Sequence, residues 1–132
     1  MSEESFARCR HIISENSRVL RAREALLHSD LEQFGRLLVE AHVSMRNDFS
    51  ASCEEVDALV EIATRQDGCL GARITGGGFG GCTVNLVRAD HADRFIEAIQ
   101  RQYERSKGIL ANCYVCEPSD GALAIAPRET AR

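Results

Sequence analysis

No apolar run in this chain approaches the ~20 residues that a membrane-spanning helix needs, so contact with a membrane is not expected. A basic excess is missing too. The net charge is −4 and the pI near 5.6, which leaves no electrostatic footprint for nucleic acid. The opening Met1-Ser2-Glu3-Glu4-Ser5 lacks the basic start and apolar stretch of a signal peptide. These absences lead us to expect a cytoplasmic chain. What is present fits one ordinary domain: 132 residues, 44% hydrophobic and 27% charged, long enough for a real core but short for a two-lobed, two-substrate enzyme.

Six cysteines, Cys9, Cys53, Cys69, Cys82, Cys113 and Cys116, are scattered through segments that read as regular structure. In a cytosolic protein they are expected to be reduced and to serve as small apolar core residues. Cys113-Tyr114-Val115-Cys116 has the C-x-x-C spacing. It falls in an apparent strand, however, where positions three apart face opposite ways, and no second ligand pair at matching spacing accompanies it. No metal site is therefore expected.

The first half has helical periodicity. From Phe6 to about Leu27, apolar residues at Phe6, Cys9, Ile13, Leu20 and Leu27 suggest a buried stripe, with arginines around the other side. Ser29 with Glu32 has the spacing of a capping box, and Leu31, Phe34, Leu38, Ala41 and Met45 form the stripe of a second helix, fraying near Asn47-Asp48. Ser52 with Glu55 repeats the box before Val56, Leu59, Val60 and Ala63, and Asp67-Gly68 marks the stop.

The second half changes period. Leu70 to Thr75 and Thr83 to Val87 alternate and are partly β-branched, as strands are, and their tight connection predicts an antiparallel pair. Asp90 is placed to cap a helix burying Phe95, Ile96, Ile99 and Tyr103 and ending at Gly108. Leu110 to Cys116 reads as a further strand, and Leu123 to Ile125 as a short fourth after the Pro118-Ser119-Asp120-Gly121 turn. The expected fold is therefore α+β: a ferredoxin-like two-layer sandwich, with a mostly antiparallel sheet of three to four strands, helices on one face and helices before it. Residues 6–126 are expected to form the domain, with 1–5 and 127–132 as tails.

Between the two strands lies Gly76-Gly77-Gly78-Phe79-Gly80-Gly81. Gly76, Gly78 and Gly81 satisfy G-x-G-x-x-G, but a dinucleotide loop opens a helix and is followed about 20 residues later by an acidic residue. Here a strand follows, and Arg101 stands at the distant position. No Lys-Ser or Lys-Thr follows the last glycine, so it is not a Walker A loop either. A plain hairpin turn needs one or two glycines, whereas this loop has five in six residues. Each costs backbone entropy on ordering, which suggests close approach of another surface to the main chain, an anion being a good candidate.

Ala72-Arg73-Ile74-Thr75-Gly76-Gly77-Gly78-Phe79-Gly80-Gly81-Cys82-Thr83-Val84 resembles the third signature motif of the GHMP small-molecule kinases, in its galactokinase version. The likeness extends to Arg8-Cys9-Arg10-His11-Ile12 with Glu15-Asn16, to Ser44-Met45-Arg46-Asn47-Asp48-Phe49, to Val56-Asp57-Ala58-Leu59-Val60 and to Tyr114-Val115-Cys116-Glu117-Pro118-Ser119-Asp120-Gly121-Ala122. It covers nearly everything from Phe6 to Ile125. The resemblance implies a C-terminal lobe that faces galactose and ATP across a cleft, in a family that makes galactose 1-phosphate with ATP and Mg²⁺. It also implies that Gly76, Gly77, Gly78, Phe79, Gly80 and Gly81 line the phosphate side of that cleft, with Phe79 anchoring the loop by packing.

The family's substrate-binding motif, its P-x-x-x-G-L-x-S-S-A-like phosphate loop and its catalytic aspartate are absent from this chain. Asp48 and Asp57 fit solvated or capping positions, and His11 and His42 read as structural, so no catalytic residue is assigned here. The lone chain is expected to be inactive, to bind ATP and Mg²⁺ weakly or not at all, and to pair with an N-terminal lobe. Without that lobe, an exposed interface should invite self-association. The alternative is a stand-alone ligand- or protein-binding regulatory module derived from such a lobe.

Overall fold

A computed structural model describes residues 2–119. Three helices, α1 (Glu3–Leu27), α2 (Leu31–Asn47) and α3 (Glu54–Thr64), precede a hairpin of β1 (Cys69–Thr75) and β2 (Cys82–Val87). A short 3₁₀ turn, Ala89–His91, then leads into α4 (Ala92–Lys107). The two strands are antiparallel, Thr75 facing Cys82 and Ala72 facing Asn85, with a register irregularity between Cys69 and Gly71. This is an α+β arrangement of four helices on a two-stranded sheet among the described residues.

The helix starts differ from the expected caps for a common reason. Ser29 lies at φ 57°, outside the extended region an N-cap residue adopts, so Asp30 takes the role and accepts from Gln33 N–H at 2.9 Å. Ser52 does not cap α3. Cys53 occupies that position without a side-chain bond, and the Ser52 hydroxyl is committed elsewhere. Asp90 falls inside the 3₁₀ turn, its carboxylate 2.9 Å from Nδ1 of His91, which is the cap residue of α4. At the N-terminus, Ser2 caps a helix that starts at Glu3 rather than Phe6.

The core forms where α3 and α4 meet the sheet: Val60 and Ala63, Phe95 and Ile99, and Ala72 of β1. Burial of each larger side chain stabilises the fold by about 1.5–3 kcal/mol. On β1's other side lies α2. The Ile74 N–H is taken up by Nδ1 of His42 at 3.4 Å, and Gly35 abuts the Leu70 carbonyl, so α2 covers the edge of β1 that β2 leaves unpaired.

One expectation fails at the surface and a second holds only in part. The stripe foreseen as the buried side of α1 faces outward: Ile13 is 72% exposed and Leu20 66%, with Phe6 and Leu27 also exposed. Its packed side instead runs through His11, Glu15, Arg18, Ala22 and Ala25, a set of small and polar side chains. The cysteines meet the core expectation only in part, Cys69 and Cys113 packing against the core cluster. All six are free, Cys9, Cys82 and Cys116 are exposed, and the other three are half-buried.

Leu110 to Cys116 forms no strand. Ala111 and Cys113 still pack on the core cluster, and Gln100 Nε2 donates to the Ala111 carbonyl at 3.3 Å. The segment alternates half-buried and exposed residues through Tyr114 as a strand would, but no strand among the described residues pairs with it. Of the expected three to four strands, two are present among the described residues. The proposed strand at Leu123 to Ile125 and the tail 127–132 lie outside the described residues.

Candidate functional site

Gly76 to Gly81 is the whole connection between β1 and β2. Gly76, Gly78, Gly80 and Gly81 all have positive φ, at 87°, 87°, 136° and 93°. Those four positions need glycine for conformation alone. Gly77 does not have positive φ, and a Cβ there would meet nothing within 4 Å, so no contact within this chain explains its bareness.

Phe79 departs from expectation. Its side chain is 75% exposed, so it does not anchor the loop by packing within this chain. The backbone does that instead. Phe79 sits at φ 59°, a sparsely populated region for a bulky residue, and its N–H donates to the Ala51 carbonyl at 2.8 Å. Gly78 presses on the same oxygen, since a Cβ there would lie 2.4 Å from it.

Two polar networks involve the residues expected at structural, solvated or capping positions, His11 and Asp48 in one and His42 and Asp57 in the other. In the first, the Ser44 hydroxyl donates to Asp48 Oδ2 at 3.0 Å while also lying 3.0 Å from His11 Nδ1. A hydroxyl has one proton, so His11 must donate from Nδ1. Arg10 pairs with Asp48's other oxygen, and that hydrogen bond holds the Asp48 carboxyl below the usual carboxylate range. Burial pushes His11 down from its ordinary pKa, and its ring stacks at a tilt on Phe49, 4.8 Å between centroids. Asp48 is the C-cap residue of α2, in keeping with a capping position, and its half-buried carboxylate also links Ser44 to Arg10.

In the second network, His42 uses Nδ1 as an acceptor for Ile74, which places its proton on Nε2, facing Asp57 Oδ1 at 3.2 Å. That approach is close but lacks good hydrogen-bond alignment, and it is an ion pair only when His42 is protonated. Asp57 Oδ1 is held by the Ser52 hydroxyl at 2.5 Å. Desolvation lowers the His42 pKa, with Asp57 opposing it. Beside these, Arg73 of β1 reaches Glu15 at 2.9 Å and Arg18 reaches it at 2.8 Å. Burial alone would raise the Glu15 pKa, but the two guanidinium groups outweigh it and hold the carboxyl down.

Among the described residues no three His, Cys, Asp or Glu side chains gather as a metal site, and no helix is long and apolar enough to cross a membrane. Surface grooves of 560 Å³ between α1 and α2 and 380 Å³ near Arg88 lie elsewhere, and the glycine loop lines neither. The loop stands as one open wall with a firm footing.

Known proteins match this arrangement. The family described as GHMP kinases C terminal matches residues 22–105. A galactokinase from Bos taurus is 47% identical over 95% of this chain and 31% of its own length. The human galactokinase is 45% identical over the same shares. Among solved structures, the galactokinase of Lactococcus lactis complexed with galactose superposes with a TM-score of 0.80 at 39% identity, covering 83% of this chain and 28% of that one. The mevalonate kinase of L. major in complex with R-mevalonate gives 0.61 at 30% identity, over 69% of this chain and 28% of its own. The chain spans 31% of the length of the Bos taurus galactokinase and 30% of the Clostridium acetobutylicum galactokinase.

Proposed function

The chain belongs to the GHMP kinase family, and on that premise we propose that it is the C-terminal lobe of a galactokinase. Residues 6–126 would form that lobe, and the complete protein would transfer the γ-phosphoryl group of ATP to the anomeric hydroxyl of galactose, giving galactose 1-phosphate. The observation that carries this reading is the 47% identity to a galactokinase across 95% of the chain. The mevalonate kinase likeness is weaker in both identity and coverage.

Gly76, Gly77, Gly78, Phe79, Gly80 and Gly81 would form the phosphate-side wall of the ATP site. Supporting this, Cβ positions at Gly76, Gly77, Gly80 and Gly81 open onto free space, so a ligand oxygen can come close to the main chain. When bound, ATP supplies the transferred group and Mg²⁺ neutralises the phosphates. The protein ligands of Mg²⁺ and the base would come from an N-terminal lobe.

The same lobe would cover α1. Ile12, Ile13, Val19, Leu20, Leu26 and Leu27 recur in pairs seven apart and are all exposed, an apolar face rather than scattered residues. The chain alone should make no galactose 1-phosphate from ATP, Mg²⁺ and galactose, whereas co-expression with an N-terminal galactokinase lobe should restore turnover. Product from the lone chain, or a well-folded pair that binds both substrates without transfer, would overturn the reading. The second of those results would favour the regulatory module.

A further inference from the structure

The footing of the glycine loop is itself held in place. Residues 48–53 connect α2 to α3 without regular structure after Asp48, and Ala51 in their middle is 1% exposed. Its carbonyl is the acceptor for Phe79 N–H at 2.8 Å and the surface against which Gly78 rests. An acceptor in an irregular segment is only as well placed as the peptide carrying it. Ser50, on one side, is at φ 58°, a costly conformation for a non-glycine residue. On the other side Ser52 is tied, through its hydroxyl, to Asp57 Oδ1 at 2.5 Å.

Asp57 is a firm post for that tie. It stands in the first turn of α3, where the helix N-terminus favours a carboxylate, and the same oxygen lies 3.2 Å from Nε2 of His42. His42 is 3% exposed, and its other nitrogen accepts from Ile74 N–H, one residue before Thr75 where β1 ends and the loop begins. The contacts therefore close a ring: Ala51 and Ser52, Asp57, His42, Ile74, the loop, and back to Ala51.

We propose that Ser52, Asp57 and His42 are positioning residues for the glycine loop, acting through the Ala51 carbonyl to fix where Gly78 and Phe79 are held. The Ser52–Asp57 hydrogen bond stops the Ala51–Ser52 peptide from turning, and His42, which accepts from the strand that launches the loop, packs its other nitrogen against the same carboxylate without a well-aligned hydrogen bond. The ring stands on geometry alone, and its consequence for catalysis rests on the proposed phosphate role of the loop.

Amide exchange measured by NMR on the 132-residue chain tests the ring directly. In Ser52→Ala, the Phe79 amide should exchange about tenfold faster relative to that of Ile99 in α4, a core position that reports global opening. Ser52→Thr keeps a hydroxyl and should return exchange toward the parent value. Unchanged Phe79 exchange in Ser52→Ala, or a rise only in step with Ile99, would overturn the proposal. In the chain joined to an N-terminal galactokinase lobe, Ser52→Ala should raise KM for ATP several-fold. A loosened loop with unaltered KM would support the ring and count against the loop's phosphate role.

Discussion

Gly35 of α2 and Gly71 of β1 meet main chain to main chain. A Cβ on Gly71 would lie 2.1 Å from the Gly35 carbonyl oxygen, and one on Gly35 would lie 2.0 Å from the carbonyl oxygen of Leu70. The contact is backbone on both sides, so no flexible side chain can move aside. Gly35→Ala would add about 1 kcal/mol in an ordinary helix interior. Here overpacking should reverse that, with a net loss of about 1–3 kcal/mol in urea unfolding. A gain in stability would show that α2 can lift off the strand freely.

The two buried histidines make stability depend on pH with a defined sign. Burial lowers the pKa of both His11 and His42, so the unfolded chain takes up protons at a higher pH than the folded one does. Their contribution is fully present above about pH 6.5, the unfolded value, and is lost as pH falls below it toward the lowered folded values. The groups facing His11 are Glu15, Arg18, Asp48 and Arg73, and those facing His42 are Asp57, Arg46 and Arg73. The urea midpoint should fall between about pH 7 and pH 5. His11→Gln and His42→Gln should each flatten part of that slope, and an unchanged slope in both variants would contradict the assignment.

Gly77 and Gly78 should respond oppositely to alanine. Gly77→Ala meets no steric opposition and should change stability by about 0.5 kcal/mol or less. If the loop is a phosphate wall, the same change should still raise KM for ATP in the chain joined to an N-terminal lobe. Gly78→Ala combines φ 87° with contact on the Ala51 carbonyl and should cost about 1–3 kcal/mol. Equal effects on stability from the two variants would remove the distinction.

The outward face of α1 predicts association of the isolated chain. Sedimentation velocity should show the weight-average coefficient rising with concentration, and Ile13→Lys with Leu20→Lys should suppress the rise, since both side chains are exposed and no core contact is lost. A strictly monomeric profile at high concentration would contradict this.

How much of the fold was legible in the amino-acid order depends on where each partner lies. The inner faces of α3 and α4 were readable, Val56, Val60 and Ala63 and Phe95, Ile99 and Tyr103 all being buried, because those helices pack on residues of the same chain. The hairpin and its glycine loop were readable from a change of period and from composition. For α1, periodicity located an apolar face but could not say that it is exposed among the described residues. The packed face of His11, Glu15 and Arg18 was hidden, since polar side chains satisfied by one another look in sequence like solvated ones. Leu110–Cys116 has a strand's alternation, yet a ladder requires a neighbour that local sequence does not supply. The loop's anchor, Phe79 to Ala51, left no mark, because a main-chain bond between distant segments has no side-chain signature. Gly35 and Gly71 did leave one: glycine inside a helix and inside a strand signals close backbone approach.

Arg10 and His11 grip the first residues of the α2–α3 connection, through Asp48 and Phe49, while the glycine loop rests on Ala51 a few residues further on. In mechanical terms, α1 is a lever about 37 Å long, from 25 residues at 1.5 Å rise, whose N-terminal half is clamped to the pivot that seats the loop. Damage at the Arg10–Asp48 clamp should therefore disturb the segment on which the loop is seated.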